Sequence, residues 1–430
     1  SYPAIKGLGN FFIRFAYNSS WFVQTALFSF AFIGGPSFHV LSGLLFTAFG
    51  LFILAELLLN EKSDLPETIT GFLLLPLTIL TLSGQLSSPS TDLPSALLIW
   101  LVVYYSFQLL RNKQYAPDVE FTILLTSIFA VTVKLSSLPI AIIPAFFTSK
   151  HLIKKEWQKI GLILLTVLLC FSPWILRSII QSGYLVYPME FTGLPVEWKI
   201  PSTLLQEDVE HIRVWGFDKV LNNEQVMSQT YFERMTIWFG ERSINQKVLF
   251  AGSIFSPFFT IPMIYFLEKK KASLLVPLLA IFAGLTYWVT ISPNIRFGYV
   301  WLLMINALFI GYGVGFLLTF IKKNEKLLAV TQTLVMVGLC LLLVGSLTLS
   351  VRNIFNDQNE PLSARVLLQM DYSVRYVEPC KIYNTNYSVL CAKNYNECGY
   401  HNFPCFPWEP VIGMYDETDV RKGFYPIIEE

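Results

Sequence analysis

Four ionisable side chains stand where an apolar chain makes them costly: Asp92, Lys134, Arg177 and Arg296. A carboxylate can take the proton of an attacking hydroxyl. Guanidinium and ammonium groups can hold a phosphate and the charge that develops on it. A charge at the centre of a membrane helix costs about 2.5–3.5 kcal/mol on insertion scales, so such groups face a cavity or a partner. Each also has a plainer reading. Asp92 lies in the polar knot Ser87-Ser88-Pro89-Ser90-Thr91-Asp92-Leu93-Pro94, where it can cap a helix that carries Pro94 in its first turn. Lys134 can be a loop lysine reaching the interface. Arg177 and Arg296 can pair with Glu190 or Asp92. No phosphate loop, dinucleotide fingerprint, zinc-protease helix or serine elbow occurs.

The elements that must position these groups are apolar runs. Hydrophobic residues make up 53 % of the chain and aromatics 15 %. Charged residues make up 14 %, against roughly a quarter in soluble domains. A helix needs about 20 apolar residues to cross a bilayer, and Phe38–Leu59, Thr68–Leu86, Leu93–Leu110, Gly161–Ile180, Val248–Leu267, Ser273–Ile291, Val300–Ile321 and Leu327–Ser350 supply them. Phe121–Phe147 is too long for one span and holds Lys134. It reads as a hairpin of two short spans, about 121–133 and 136–148, turning near Lys134-Leu135-Ser136-Ser137-Leu138-Pro139, because the residue before a proline avoids helix. Trp21–Gly34 is too short to span and reads as an interfacial helix with Trp21 and Phe22 as belt residues.

Orientation follows from the basic loops. Lys150, Lys154, Lys155 and Lys159 fill one turn, and Lys269-Lys270-Lys271 and Lys322-Lys323 fill two others, which places these loops in the cytoplasm. Segments 182–247 and 351–430 then face outwards. Both carry more acids than bases, which argues against a nucleic-acid partner. Glu67 sits awkwardly among the inner loops, and Glu56 reads as a snorkelling side chain. Gly311 and Gly315 have the small-xxx-small spacing of helix packing.

In the outer segment after Pro201, Thr203 and Gln206 have capping-box spacing, and Leu205, Val209 and Ile212 follow at helical intervals. A second amphipathic helix is expected at about 223–239. The tail holds Cys380, Cys391, Cys398 and Cys405. In an oxidising compartment these suggest two disulfides of undetermined pairing; zinc is the rival, though no Cys-x-x-Cys pair is present. Residues 374–377, 381–383 and 387–390 alternate like short strands. Cys170 and Cys340 lie inside spans and read as packing residues.

Several short stretches resemble uncharacterised multispanning bacterial membrane proteins similar to GT-C type glycosyltransferases. They are Gly7-Leu8-Gly9-Asn10, Asn18-Ser19-Ser20-Trp21-Phe22, Ser88-Pro89-Ser90-Thr91-Asp92, Lys134-Leu135-Ser136-Ser137-Leu138-Pro139, Pro173-Trp174 with Arg177, Gly183-Tyr184, Tyr187-Pro188, Arg296-Phe297 and the tail's Cys398 and Cys405-Phe406-Pro407. The apolar runs and the hairpin make an all-α polytopic membrane protein of about ten membrane segments, two of them short, and the resemblance implies that it is GT-C-like. The resemblance also implies sugar transfer from a polyprenyl-phosphate carrier on the outer face of a bacterial cytoplasmic membrane. Asp92 would match a second acidic position of the class. Lys134, Arg177 and Arg296 would match places where cations steady the lipid phosphate. The principal base is expected in an outer loop ahead of this chain, which reads as beginning inside that loop. Three parts are expected: 1–36 with the interfacial helix, a transmembrane part 37–350, and a disulfide-stapled extracytoplasmic tail 351–430. No cofactor is evident beyond the lipid-linked sugar, and a divalent metal stays open. Membrane lipid and a lipid-linked glycan are the expected partners. A transporter or flippase, or a polymerase or ligase of surface glycans, is the alternative.

Overall fold

The computed structural model describes residues 4–28, 41–59, 65–86, 88–111, 117–217, 228–267, 272–356, 377–382, 385, 387–392, 405–406 and 412–427. Their contacts divide the chain into two compact units. The first combines Ser1–Ser20, Leu168–Ile212 and Gln369–Glu430, and the second Trp21–Val167 and Arg213–Leu368. The three parts expected from the sequence are therefore regrouped: the start of the chain, part of the long outer segment and the tail build one body.

In chain order the helices are α1 (Leu8–Phe11), α2 (Ser20–Leu27), α3 (Leu41–Leu59), α4 (Leu65–Leu86), α5 (Asp92–Arg111), α6 (Pro117–Val133), α7 (Ile142–Ile153), α8 (Trp157–Ser182), α9 (Ser202–Phe217), α10 (Tyr231–Glu241), α11 (Ile244–Leu267), α12 (Leu275–Ile291), α13 (Ile295–Ile321) and α14 (Glu325–Asn356). The eight apolar runs recur as α3, α4, α5, α8, α11, α12, α13 and α14. Among the described residues, 7 helices are long and apolar enough to cross a membrane, and α3 is a shorter apolar one. At 1.5 Å per residue, the 20 residues of α5 cover about 30 Å, the thickness of the hydrocarbon layer.

The hairpin forms as expected. α6 ends at Val133, Lys134 is extended (φ −151°, ψ 117°), and a 3-10 helix, Leu135–Ala141, leads into α7. Its far ends meet where His151 of α7 lies 2.5 Å from Glu120 of α6, so the two helices run antiparallel. Within this second unit α13 is the central packing element, against α4, α5, α11 and α12. Small residues make the contact with α4 possible. A Cβ at Gly315 would lie 2.7 Å from the Pro66 ring, and one at Gly311 would strike Thr70 and the Pro66 carbonyl.

The first unit has a small β component. Strands β1 (Val377–Lys381) and β2 (Ser388–Ala392) are antiparallel, with Cys380 opposite Val389, and β3 (Cys405–Phe406) lies parallel to β2. A second antiparallel pair joins β4 (Ile412–Met414) to β5 (Phe424–Pro426). Ile5 and Phe11 pack with Ile382, Val389, Met414 and Phe424, so the first residues share a core with the tail. Gly7, at φ 65°, is required there: a side chain would collide with the Phe424 carbonyl.

Several local expectations need correction. Trp21 is buried rather than a belt residue, while Phe22 is exposed; α2 ends at Leu27 and residues 29–40 lie outside the described ones. α9 begins at Ser202, so Thr203 lies in its first turn and Gln206 reaches Glu190 instead of closing a capping box. The capping box occurs at α10, where Thr230 and Glu233 each satisfy the other's backbone N–H. Cys170 and Cys340 are exposed on their helices, not packed. Glu56 does not snorkel: it accepts from Tyr104 at 3.1 Å and Gln108 at 3.0 Å.

Candidate functional site

The carboxylate of Asp92 sits at the first turn of α5 and is almost fully buried. Ser88 and Ser90 order the turn before it: the Ser88 hydroxyl accepts from the Ser90 N–H, and the Ser90 hydroxyl donates to Asp92 at 3.3 Å. Lys134 arrives from the break between α6 and the 3-10 helix, where the extended backbone ends the helix and turns the side chain onto α5. Its Nζ donates to Asp92 Oδ1 at 2.6 Å and lies 4.3 Å from the centre of the Phe297 ring. Arg296 arrives from the first turn of α13. Asn294 caps that helix by accepting from the Arg296 N–H at 3.1 Å, and the Trp288 indole fixes the Asn294 carbonyl at 2.7 Å. The guanidinium donates through Nε to Asp92 Oδ2 and through Nη2 to Ser90 at 2.8 Å.

Three elements thus bring two cations onto one carboxylate, with a local net charge of one positive unit. Exposure is graded: the Asp92 side chain is 5 % exposed, Lys134 19 % and Arg296 45 %. Burial of the carboxylate makes it a fixed anchor, while the guanidinium keeps an open face. Both Asp92 oxygens already accept from cations, so the residue is built to hold Lys134 and Arg296 in place. The open side of the pair is suited to a phosphate, since a guanidinium fork matches phosphate oxygens.

Arg177, the fourth residue singled out in the sequence, belongs to the other unit. It lies on α8, partly buried, with no ion pair among the described residues. Of the tail cysteines, Cys380 and Cys391 form a disulfide. Cys398 lies outside the described residues, and only the backbone of Cys405 is described. Among the described residues no group of His, Cys, Asp and Glu could hold a metal ion.

Three ionisable clusters escaped the sequence reading. In the first unit, Asp208 of α9 is buried; it accepts from the Tyr17 hydroxyl at 2.5 Å and the Tyr187 hydroxyl at 3.4 Å, with Arg14 at 3.6 Å. Burial and the adjacent Asp208 carboxylate push both phenols well above the usual tyrosine range. The signal was present: Asp208 lies on the stripe defined by Leu205, Val209 and Ile212. In the second unit, Glu67 of α4 and Arg111 of α5 form a bidentate pair at 2.6 and 2.8 Å, joined by Tyr312 of α13. That pairing explains the awkward acid of the inner loops. The third cluster is Glu120–His151–Glu156, with Lys159 at 3.0 Å from Glu156.

Residues 1–303 match the family described as "Domain of unknown function (DUF8201)". That stretch includes Asp92, Lys134, Arg177, Asp208 and Arg296 and stops short of the tail. No curated protein and no solved structure matches the chain.

Proposed function

The chain belongs to the DUF8201 family, and for it we propose an integral-membrane glycosyltransferase of GT-C type that uses a polyprenyl-phosphate-linked sugar on the outer face of a bacterial cytoplasmic membrane. The observation that carries this reading is the Asp92–Lys134–Arg296 constellation at one end of α5 and α13. In the proposed orientation this end of the helices would meet the outer head groups, where a carrier phosphate sits. In the reaction an acceptor hydroxyl attacks the anomeric carbon, the bond from that carbon to the phosphate oxygen breaks, and the electron pair leaves with the polyprenyl phosphate. Lys134 and Arg296 stabilise the charge that appears on the leaving oxygen. Asp92 serves by fixing these cations, and a separate base takes the acceptor's proton.

The test is release of polyprenyl phosphate from a labelled polyprenyl-phosphate sugar by the full-length protein in liposomes. Arg296→Ala should slow release by about 100–1,000-fold, the scale of one lost oxyanion contact, and Asp92→Asn, which unfixes both cations, should slow it as well. Release at the wild-type rate in both variants would remove the constellation from the reaction. A second reading, a transporter of lipid-linked or anionic glycans, draws on the buried Glu67–Arg111 and Glu120–His151 groups, because ionisable residues inside membrane helices often mark transport paths. It expects flux of an intact lipid-linked sugar across the liposome with no release.

A further inference from the structure

The most exposed large apolar side chain among the described residues is Phe191, at 87 %. It sits on the loop that leaves α8, and that loop is bonded along its length. The Leu194 N–H donates to the Gly183 carbonyl at 2.9 Å, the Leu185 N–H to the Thr192 carbonyl at 3.1 Å, and the Ile200 N–H to the Ser182 carbonyl at 3.0 Å. Tyr184 bridges Gly193, and its hydroxyl donates to the Ile200 carbonyl at 2.8 Å. The Thr192 hydroxyl closes the tip: it donates to the Met189 carbonyl at 2.7 Å and accepts from the Val186 N–H at 3.2 Å. Tyr184 is buried, while its neighbour Leu185 is 38 % exposed. A loop fixed at so many points does not expose Phe191 through slack. Its backbone sets the direction in which that ring leaves the surface.

What covers the ring follows from where the loop is tied. The 26 residues of α8 are long and apolar enough to cross a membrane. Leu169, Leu176 and Ile180 on that helix are exposed at 62, 59 and 36 %, a face made for hydrocarbon. Its apolar run ends at Ile180, and the loop returns to that same turn, where the Trp198 indole donates to the Ile179 carbonyl at 2.9 Å. Three residues separate Phe191 from Leu194, at most about 11 Å of chain, and Leu194 is bonded to the residue that follows α8. Phe191 therefore stays close to the level at which α8 leaves hydrocarbon, where aromatic side chains are enriched. The loop's charges are Glu190, Glu197 and Lys199, which offer no cationic patch to an anionic head group. Its contact is with acyl chains. We propose that Phe191, with Leu185 on the same loop, inserts into the bilayer surface at the C-terminal end of α8 and anchors the loop there. This rests on α8 crossing the membrane and is independent of the transferase reaction.

The test places the photoreactive residue p-benzoylphenylalanine at Phe191 of the full-length protein in liposomes. Irradiation couples it to whatever lies against it, and mass spectrometry reads the adduct. The native ring is outside the core, so its replacement leaves the fold intact. The same residue at Leu169 gives the reference for a lipid-facing site, and at Glu417, exposed in the turn between β4 and β5, the reference for water. Burying a phenylalanine favours the inserted state roughly 10–150-fold, so lipid capture at Phe191 should exceed that at Glu417 by at least about tenfold. Capture at Phe191 no greater than at Glu417, while Leu169 captures lipid, would overturn the proposal. So would protein adducts in place of lipid, which would make this tip a contact with a second copy. Absence of lipid at Leu169 as well would overturn the membrane placement of α8, and the anchor with it.

Discussion

Replacing Arg296 by alanine should separate ligand binding from fold stability. The guanidinium is 45 % exposed, so its pairing with Asp92 belongs with surface pairs worth about 0–1 kcal/mol. Melting should therefore change little. Binding should change much more, because a charge-assisted hydrogen bond to a phosphate oxygen contributes about 1.5–3 kcal/mol. At about 1.4 kcal/mol per factor of ten, that is roughly 10–150-fold in Kd. Lys134→Met provides the contrast. Its ammonium is 19 % exposed and faces a carboxylate that is 5 % exposed, so its removal should cost towards about 3 kcal/mol of stability as well as affinity. The assay is calorimetric titration of polyprenyl phosphate into the detergent-purified protein, with the unphosphorylated polyprenol as control and melting by intrinsic fluorescence alongside. Arg296→Ala binding the phosphate within about twofold of wild type, where a lost charged contact predicts at least tenfold, would refute the assignment of this guanidinium to a phosphate.

Glu67→Ala should lower stability by about 3–5 kcal/mol, since it strands Arg111 against Tyr312 in a buried setting; denaturation midpoints check this, and an unchanged midpoint would show that the pair is idle. Tyr17 and Tyr187 should stay protonated when exposed tyrosines titrate near pH 10. Their folded-state values are raised, so the fold keeps its full stability below pH 10 and loses it as pH rises beyond that. Absorbance at the tyrosinate band reads the event, and titration of every tyrosine in one step near the usual value would contradict the buried cluster. Non-reducing peptide mapping should recover the Cys380–Cys391 disulfide and, if the expected two disulfides form, join Cys398 to Cys405; a Cys380–Cys398 peptide would refute the observed pairing.

The helices long and apolar enough to cross a membrane were readable residue by residue, because mean apolarity over some 20 positions is a local property and needs no partner. That the run 121–147 must turn inside itself was readable from its length and its lysine, but the proline rule pointed at Leu138, which lies within the 3-10 helix, whereas the chain leaves the helix at Lys134. Local spacing misled where several sites satisfy one rule. Thr203–Gln206 and Thr230–Glu233 have the same capping spacing, but α9 starts at Ser202 and only α10 uses it.

What the amino-acid sequence determined by itself was the inventory: apolar helices, a hairpin and a few costly charges, among them Asp92, Lys134, Arg177 and Arg296. Tertiary structure decided which of these meet. Asp92 and Arg296 are separated by 204 positions, and Glu67 finds Arg111 only because α4 packs beside α5. Arg177, equally conspicuous as a residue, joins neither pair. The motifs Gly7-Leu8-Gly9-Asn10, Asn18 and Trp174 turn out to staple one unit: Gly7 donates to the Ile180 carbonyl at 2.8 Å, Asn10 to Trp198 at 2.8 Å, and Asn18 and Trp174 bond to each other's carbonyls. The physical reason is that a pairing energy depends on distance and burial, which chain order does not contain. Helix formation and membrane partition depend on composition along the chain, which it does.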